Sequence, residues 1–275
     1  MLTALHQYSL VQWLLLFYAY CFFGWCFEST YVSLLQHRLV NRGFLRLPLL
    51  PIYGAGALCI LLVCLPYQGN IPTVFVLGII FPTILEYITG WAMEAMFKMR
   101  YWDYSNQKFQ LNGHICLSSS IAWGFLSVLL IHVIHPPFAR MILRISPFVG
   151  LLIVLPVTAA VLCDSVVAFR AAFNLRHLLE ELERLHTQLD EARLQLELAK
   201  AEARDQLETI RLTQRTERLW REVEFRAHVL NKKYTIRALL RAHPTAMSRR
   251  FGRSLDNARE QAILFRKAME EKRKD

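Results

Sequence analysis

Residues 73–97 read TVFVLGIIFPTILEYITGWAMEAMF, an apolar run interrupted by two charges, Glu86 and Glu94. A membrane-spanning helix needs about 20 mostly apolar residues, so the run is long enough to cross a bilayer. An acidic side chain at the centre of such a helix costs roughly 2.5–3.5 kcal/mol even on a lenient insertion scale. Glu86, Gly90 and Glu94 stand at i, i+4 and i+8, which puts them along one helix face. Glycine on that face admits a neighbouring backbone, so the acids are expected to face another helix or a cavity rather than lipid.

Four more segments of similar character surround it, at 9–35, 48–66, 115–136 and 145–169. The expected fold is therefore an all-α membrane protein with five transmembrane helices over residues 1–169. The first segment has no Lys or Arg before it and no small-residue cleavage site, so it reads as a span rather than a signal peptide. Arg38, Arg42 and Arg46 follow the first span, and Lys98, Arg100 and Lys108 follow the third, whereas residues 67–72 carry no Lys or Arg. By the positive-inside rule the N-terminus is outside and the tail is cytosolic, with only Arg140 and Arg144 on the opposing side of that count. Of the net charge of +10, residues 1–169 carry +3 and residues 170–275 carry +7. A basic tail beside a membrane is drawn to anionic lipid heads. Its positive charges are interleaved with acids, which argues against nucleic acid as a partner.

The first span holds Gly24-Trp25-Cys26-Phe27-Glu28 and the third Gly90-Trp91-Ala92-Met93-Glu94. A shared Gly-Trp-x-x-Glu in two parallel helices, each followed by a basic loop with an Asn near a Gly (Asn41-Arg42-Gly43, Asn112-Gly113), suggests an internal duplication as readily as coincidence. Glu28, Glu94 and Asp164 lie near the cytosolic ends of their spans and Glu86 lies deeper. The second span opens with Pro51-Ile52-Tyr53-Gly54 and the fourth with Ser118, Ser119 and Ser120. The expectation is a polar pocket open to the cytosolic leaflet, with Glu86 at its floor. Asn41, Arg42, Tyr53, Trp102, Asp103, Tyr104 and Asn112 are the remaining candidates to line it, Arg42 or Arg100 being placed to pair with a membrane Glu. Trp102 and Tyr104 fit an interfacial anchor equally well. His132 and His135 stand apart at the outer end and read as interfacial.

All six cysteines fall in the spans, and the Cys21/Cys26 and Cys59/Cys64 spacings are not those of a metal or redox site. No metal site, catalytic residue or cofactor is expected.

After residue 169 the pattern changes. Leu175, Leu182, Leu189, Leu196, Ala203 and Ile210 recur every seven residues, with Leu178, Leu185, Ala192 and Ala199 at the second apolar position. This is a coiled-coil seam, expected over 170–242, and its simplest partner is a second copy of the chain. Residues 243–275 read as a basic linker and a terminal helix, with Ser254 as its N-cap.

No Gly-x-x-x-x-Gly-Lys-[Ser/Thr] loop is present, so the chain cannot itself be the ATPase of a transporter, and no His-Glu-x-x-His or Gly-x-Ser-x-Gly motif is found. The series Gly24-Trp25-x-x-Glu28, Asn41-Arg42-Gly43-Phe44-Leu45, Pro51-Ile52-Tyr53-Gly54, Glu86-Tyr87, Glu94, Trp102-Asp103-Tyr104-Ser105, Asn112-Gly113 and Ile115-Cys116-Leu117 resembles the CmpB-type ABC-transporter permease family of bacterial multi-pass membrane proteins. Arg46-Leu47-Pro48 departs from it, a Gly before the Pro being expected there. The resemblance implies a permease-like protein of the bacterial inner membrane and, if ATP drives it, a separate ATPase subunit. Two other functions fit the residues: a membrane enzyme or lipid-binding protein working at the cytosolic leaflet, and a scaffold whose working part is the coil.

Overall fold

The computed structural model describes residues 8–37, 39–201, 206–232 and 246–260, together with Ile236, Leu239, Leu240, Ala242 and His243. Among the described residues the chain is all-α apart from one short hairpin, and it divides into two compact units. One comprises residues 1–96, 100–169 and 242–245; the other comprises 97–99, 170–241 and 246–275.

The first unit begins with α1 (Leu10–Gln36). Ser9 starts it with a capping box, its hydroxyl accepting from Gln12 N while Gln12 Oε1 accepts from Ser9 N. Next comes α2 (Pro51–Cys64), opened by a proline that has no amide to leave unpaired and closed by a 3-10 turn, Leu65–Tyr67. Asn70 Oδ1 accepts from Thr73 N at the start of α3 (Ile71–Phe97). A loop then forms the hairpin β1 (Gln110–Leu111) and β2 (Ile115–Cys116), which pair antiparallel. Helix α4 (Leu117–Leu129) passes through a π-turn, Leu130–Ile134, into α5 (His135–Leu143).

Among the described residues four helical stretches are long and apolar enough to cross a membrane: Leu10–Leu35, Ile71–Phe97, Leu117–Leu143 and Pro147–Ala201. The stretch expected at 48–66 forms the shorter apolar helix Pro51–Tyr67 instead, because Pro51 fixes the start of the helix and disfavours helix in the residue before it, and Pro66 with Gly69 ends it. The core of this unit joins Leu16 and Tyr20 of α1, Ala57, Ile60, Leu61 and Cys64 of α2, Val74 of α3, and Leu130, Ile131 and Ile142. Glycines bring the helices together. A Cβ on Gly54 would lie 2.4 Å from Cys21 Sγ and 2.8 Å from the Phe17 carbonyl oxygen, and one on Gly24 would lie 2.3 Å from Tyr53 Cβ. Small residues at such crossings are the packing device of membrane bundles. Outward, Phe27, Leu34, Ile84, Ile88, Trp91, Phe125 and Leu162 are exposed, an apolar surface larger than a water-soluble domain displays.

Helix α6 (Pro147–Ala201) runs for 55 residues, about 80 Å at 1.5 Å per residue. The stretch expected as a last span and the first half of the expected coil are one helix, since neither Pro nor Gly occurs between Pro156 and Ala201.

In the second unit the heptad residues Leu175, Leu182, Leu189, Leu196, Ala192 and Ala199 are buried within the single chain. Helix α7 (Gln206–Lys232) returns against α6 in the opposite direction: Arg226 Nη1 meets Glu181 Oε2 at 2.6 Å, and the Arg193 guanidinium stands 5.3 Å over the Trp220 ring. Residues 246–260 add further cover through Arg253 to Asp190 (2.5 Å) and the Ser254 hydroxyl to Glu183 (2.7 Å). The seam thus finds its partners in its own chain. Its second apolar position also shifts: Leu179 and His186 are buried where Leu178 and Leu185 were expected, because two partner segments widen the face that must be covered. Ile210 is exposed, and Ala203 lies outside the described residues. Ser254 is not an N-cap. The helix starts two residues earlier, at 252, the Ser248 hydroxyl accepts from Phe251 N, and Ser254 is buried against α6.

Candidate functional site

Helix α1 delivers Glu28 one turn after Gly24, and the missing side chain at Gly24 lets Tyr53 of α2 lie close enough to donate its hydroxyl to Glu28 Oε2 (2.9 Å). Arg42, from the loop after α1, donates Nε to Glu28 Oε1 (3.4 Å). Its Nη1 donates to the carbonyl of Ala242 (2.7 Å) and lies 3.4 Å from His243 Nδ1. His243 is buried, its ring edge-on to Tyr101 at 4.8 Å. Burial, and then the neighbouring Arg42 charge, push the imidazole pKa down to about 3, so it is neutral beside the guanidinium.

Glu86 of α3 is 7 % exposed. Trp123 Nε1 of α4 donates to its Oε2 (2.9 Å), and the Tyr104 hydroxyl donates to its Oε1 (3.3 Å). The Ser119 hydroxyl is also beside Glu86, but its single hydrogen serves the Cys116 carbonyl at 2.9 Å. Among the described residues no cation is within ion-pair distance of Glu86. The Tyr53 and Trp123 rings are adjacent, with centroids 6.2 Å apart, and Tyr53 and Tyr104 each feel the charge of both Glu28 and Glu86. Two carboxylates, one guanidinium and two phenols therefore form one cluster. Burial, and then Glu86, raise the Tyr104 phenol well above the usual tyrosine range, so it remains a hydrogen-bond donor.

A second cluster gathers around Glu94. Arg100 is 4 % exposed, donates Nε to Glu94 Oε2 (2.8 Å) and reaches Asp103 Oδ1 with Nη1 (3.0 Å). His114 Nε2 lies 3.2 Å from the same Glu94 oxygen. Burial alone would raise the Asp103 pKa, but hydrogen bonds from Ser105 and Arg100 outweigh it and hold the carboxyl below its ordinary range. The hairpin turn supports this pair. Asn112 (φ 53°) and Gly113 (φ 75°) both take left-handed backbone, and a Cβ on Gly113 would fall 2.5 Å from both Arg100 Nη1 and Asp103 Oδ1. Trp102 Nε1 donates to the His114 carbonyl (2.9 Å), and Trp102 and His114 both press on Gly90.

Of the candidates read from the sequence, Glu28, Arg42, Tyr53, Tyr104 and Glu86 fall in the first cluster, and Glu94, Trp102 and Asp103 in the second. Asn112 donates Nδ2 to the Tyr87 hydroxyl (3.0 Å) at the rim of the second cluster, Tyr87 being edge-on to His114. Asp164 and Asn41 belong to neither. Asp164 Oδ2 accepts from the backbone amides of Arg46 and Leu47 (2.8 Å each). Asn41 Nδ2 donates to the Arg46 carbonyl (3.1 Å) while its Oδ1 accepts from Trp25 Nε1 (2.6 Å). Both residues hold the loop after α1 in place. The two Gly-Trp-x-x-Glu elements match in part: each Gly is packed by an aromatic side chain and each Glu is paired with an Arg from the following loop. Trp25 is hydrogen-bonded, however, while Trp91 points outward and is 59 % exposed.

Three participants were not singled out in the sequence. Trp123 lay among the apolar residues of its helix, His114 beside a turn, and His243 two hundred positions from its partner. His135 is a correction: it is buried, not interfacial, with the Tyr8 hydroxyl at 3.1 Å from Nε2 and the Tyr20 hydroxyl at 2.9 Å from Nδ1. The π-turn just before it sets this register. Among the described residues no group of His, Cys, Asp and Glu has the arrangement of a metal centre.

Residues 15–169 match the family described as "Putative ABC-transporter type IV", of the CmpB type. The chain belongs to this family. The match covers the whole of both clusters apart from Ala242 and His243 and stops before the tail. With four helices able to cross a membrane, this member of the ABC-transporter type IV family is a membrane protein. No curated protein and no solved structure matches the chain.

Proposed function

We propose that this chain is the permease-type subunit of an ABC-type transport system, and that the cluster of Glu28, Arg42, Tyr53, Tyr104 and Glu86 lines the path taken by its substrate or by an ion. Family membership supports the transport class. The observation that carries the site is the buried Glu86 carboxylate, which has hydrogen bonds from Trp123 and Tyr104 but no counter-charge among the described residues. The other three membrane acids are occupied with a guanidinium or with backbone amides, which is what structural acids require. A membrane acid held only by dipoles is a functional group. The Glu94, Trp102, Asp103 and Asn112 cluster serves in this reading as the support of the Tyr104 loop.

The topology that goes with this function has Pro51–Tyr67 as a fifth, short crossing, the N-terminus outside and the basic tail cytosolic beside anionic lipid, all in the bacterial inner membrane. The chain has no nucleotide-binding loop, so hydrolysis belongs to a separate ATPase subunit. A parallel homodimer through the heptad seam would have to displace α7 and residues 246–260 from that face, so the assembly is taken to be one permease chain per tail.

The test is purification of the tagged, full-length chain from native membranes, followed by reconstitution. A stoichiometric nucleotide-hydrolysing partner, with ATP-dependent uptake lost in Glu86→Gln, is the expected result. Unchanged uptake in Glu86→Gln would remove Glu86 from the path, and isolation of the chain with no ATPase would remove the ABC-type assignment.

A further inference from the structure

The hydrogen bonds on Glu86 differ in kind. An indole N–H can only donate, so the oxygen facing Trp123 must remain an acceptor. A phenol can donate or accept, so the oxygen facing Tyr104 can carry a proton if the Tyr104 hydroxyl turns round. Tyr104 also feels the negative field of Glu28, which favours a hydroxyl hydrogen turned away from Glu86 as much as one turned toward it. The cluster also has a charge imbalance: Glu28 and Glu86 are opposed by one guanidinium, Arg42, and His243 beside it is neutral. One added proton makes the group neutral as a whole. Thr83 adds a separate observation. It sits three residues before Glu86 on the same helix face, and its hydroxyl oxygen is fully enclosed without a hydrogen-bond partner. A threonine inside a helix ordinarily bonds the carbonyl four residues back, so this enclosed hydroxyl is a hydrogen-bonding group left unused one turn from Glu86.

We propose that Glu86 is a proton-binding site, loaded and unloaded at Oε1 through reversal of the Tyr104 hydroxyl, with Trp123 holding Oε2 fixed. This deepens the path reading by naming its ion, yet it is a statement about a carboxyl group that can be checked without any transport. In the loaded state Glu86 Oε1–H donates to the Tyr104 oxygen; in the unloaded state the Tyr104 hydroxyl donates to Oε1. The proton is the only species exchanged. The groups that bear on it are Tyr104 from the hairpin loop, Ser119 and Trp123 from α4, Tyr53 from α2, and the Glu28–Arg42 pair. On its own helix, Glu94 is already held by Arg100.

The measurement is infrared difference spectroscopy of the full-length protein in lipid vesicles, titrated from acid to alkaline pH, following the C=O stretch of protonated carboxyls. Wild type is expected to show a carboxyl band that disappears as pH rises, and Glu86→Gln to lose that band while Glu94→Gln and Asp164→Asn keep it. Tyr104→Phe removes the reversible hydroxyl and is expected to shift the midpoint of the band without abolishing it. Gln at position 86 can still accept from Trp123, so Glu86→Gln is expected to fold, and an unchanged thermal midpoint verifies this. Three results overturn the proposal: a band that survives in Glu86→Gln, the absence of any pH-dependent carboxyl band in wild type, or displacement of the band by sodium at constant pH, which would make the site one for a metal cation. If the band is absent and uptake still depends on Glu86, the path reading stands and the proton assignment fails. If the band titrates and uptake ignores Glu86, the reverse holds.

Discussion

The Glu86 and Glu94 centres are eight residues apart on one helix face, yet they are built on opposite principles. Glu94 has a guanidinium at 2.8 Å and an imidazole at 3.2 Å, and the same guanidinium holds Asp103. Glu86 is more deeply buried and, among the described residues, has an indole and hydroxyl groups around it but no cation. Where a carboxylate rests against a full positive charge out of water, removing either partner leaves the other uncompensated. A carboxylate held by dipoles can lose its charge without leaving a cation behind. The first arrangement suits a joint that must not move, the second a group that changes state.

The largest effect should come from the joint. Arg100→Gln leaves Glu94 and Asp103 without their cation, and removal of one member of a buried pair costs about 3–5 kcal/mol. Thermal unfolding in detergent should show a large drop in midpoint, and an unchanged midpoint would erase the contrast between the centres. Next, Gly24→Ala forces a methyl group into the space of the Tyr53 side chain, for which overpacking costs about 1–3 kcal/mol; Gly90→Ala, with contacts no closer than 3.0 Å, should cost less. Equal losses at the two glycines would mean that the Glu28 and Glu94 joints are equally tight. Tyr53→Phe deletes one hydrogen bond to Glu28 and should cost about 1–3 kcal/mol, less than Arg100→Gln in the same assay. The smallest effect is expected for Glu86→Gln, within about 0.5 kcal/mol of wild type, because no cation is orphaned.

Acidification separates two other groups. Asp103 has a lowered pKa, so its contribution to stability is complete above the ordinary carboxylate value and is lost as pH falls through the folded-state value. Arg100→Gln should flatten that acid limb. His243 is depressed from 6.5 to about 3, so the unfolded chain takes up a proton before the folded one and stability falls progressively over that window. His243→Gln should remove this part of the curve, which protease resistance of the region around residue 243 at mildly acid pH would report.

Four of the five expected membrane segments and the acid stripe could be read from the chain because hydropathy and i, i+4 spacing are local properties of sequence. Tyr53 beside Glu28 was suggested by the broken helix start at Pro51, and Arg42 and Arg100 by their nearness to the membrane acids. The partner of Glu86 was not local: Trp123 is one aromatic among apolar neighbours, and only the packing of α3 on α4 gives its N–H an acceptor. The tail misled for a related reason. A heptad records how much surface must be covered and not what covers it, and here the cover is α7 and residues 246–260. Asp164, conspicuous as a charge in an apolar run, turned out to serve two backbone amides.

The bond from Arg42 to the Ala242 carbonyl joins residues 200 positions apart. During synthesis, at roughly 5–20 residues per second, Arg42 waits about 10–40 s for that acceptor to be made. Glu28 and Arg42 are therefore made, and free to pair, before the segment that completes their arrangement exists. A chain halted in the tail would leave Arg42 without its Ala242 acceptor, one hydrogen bond short of the finished protein.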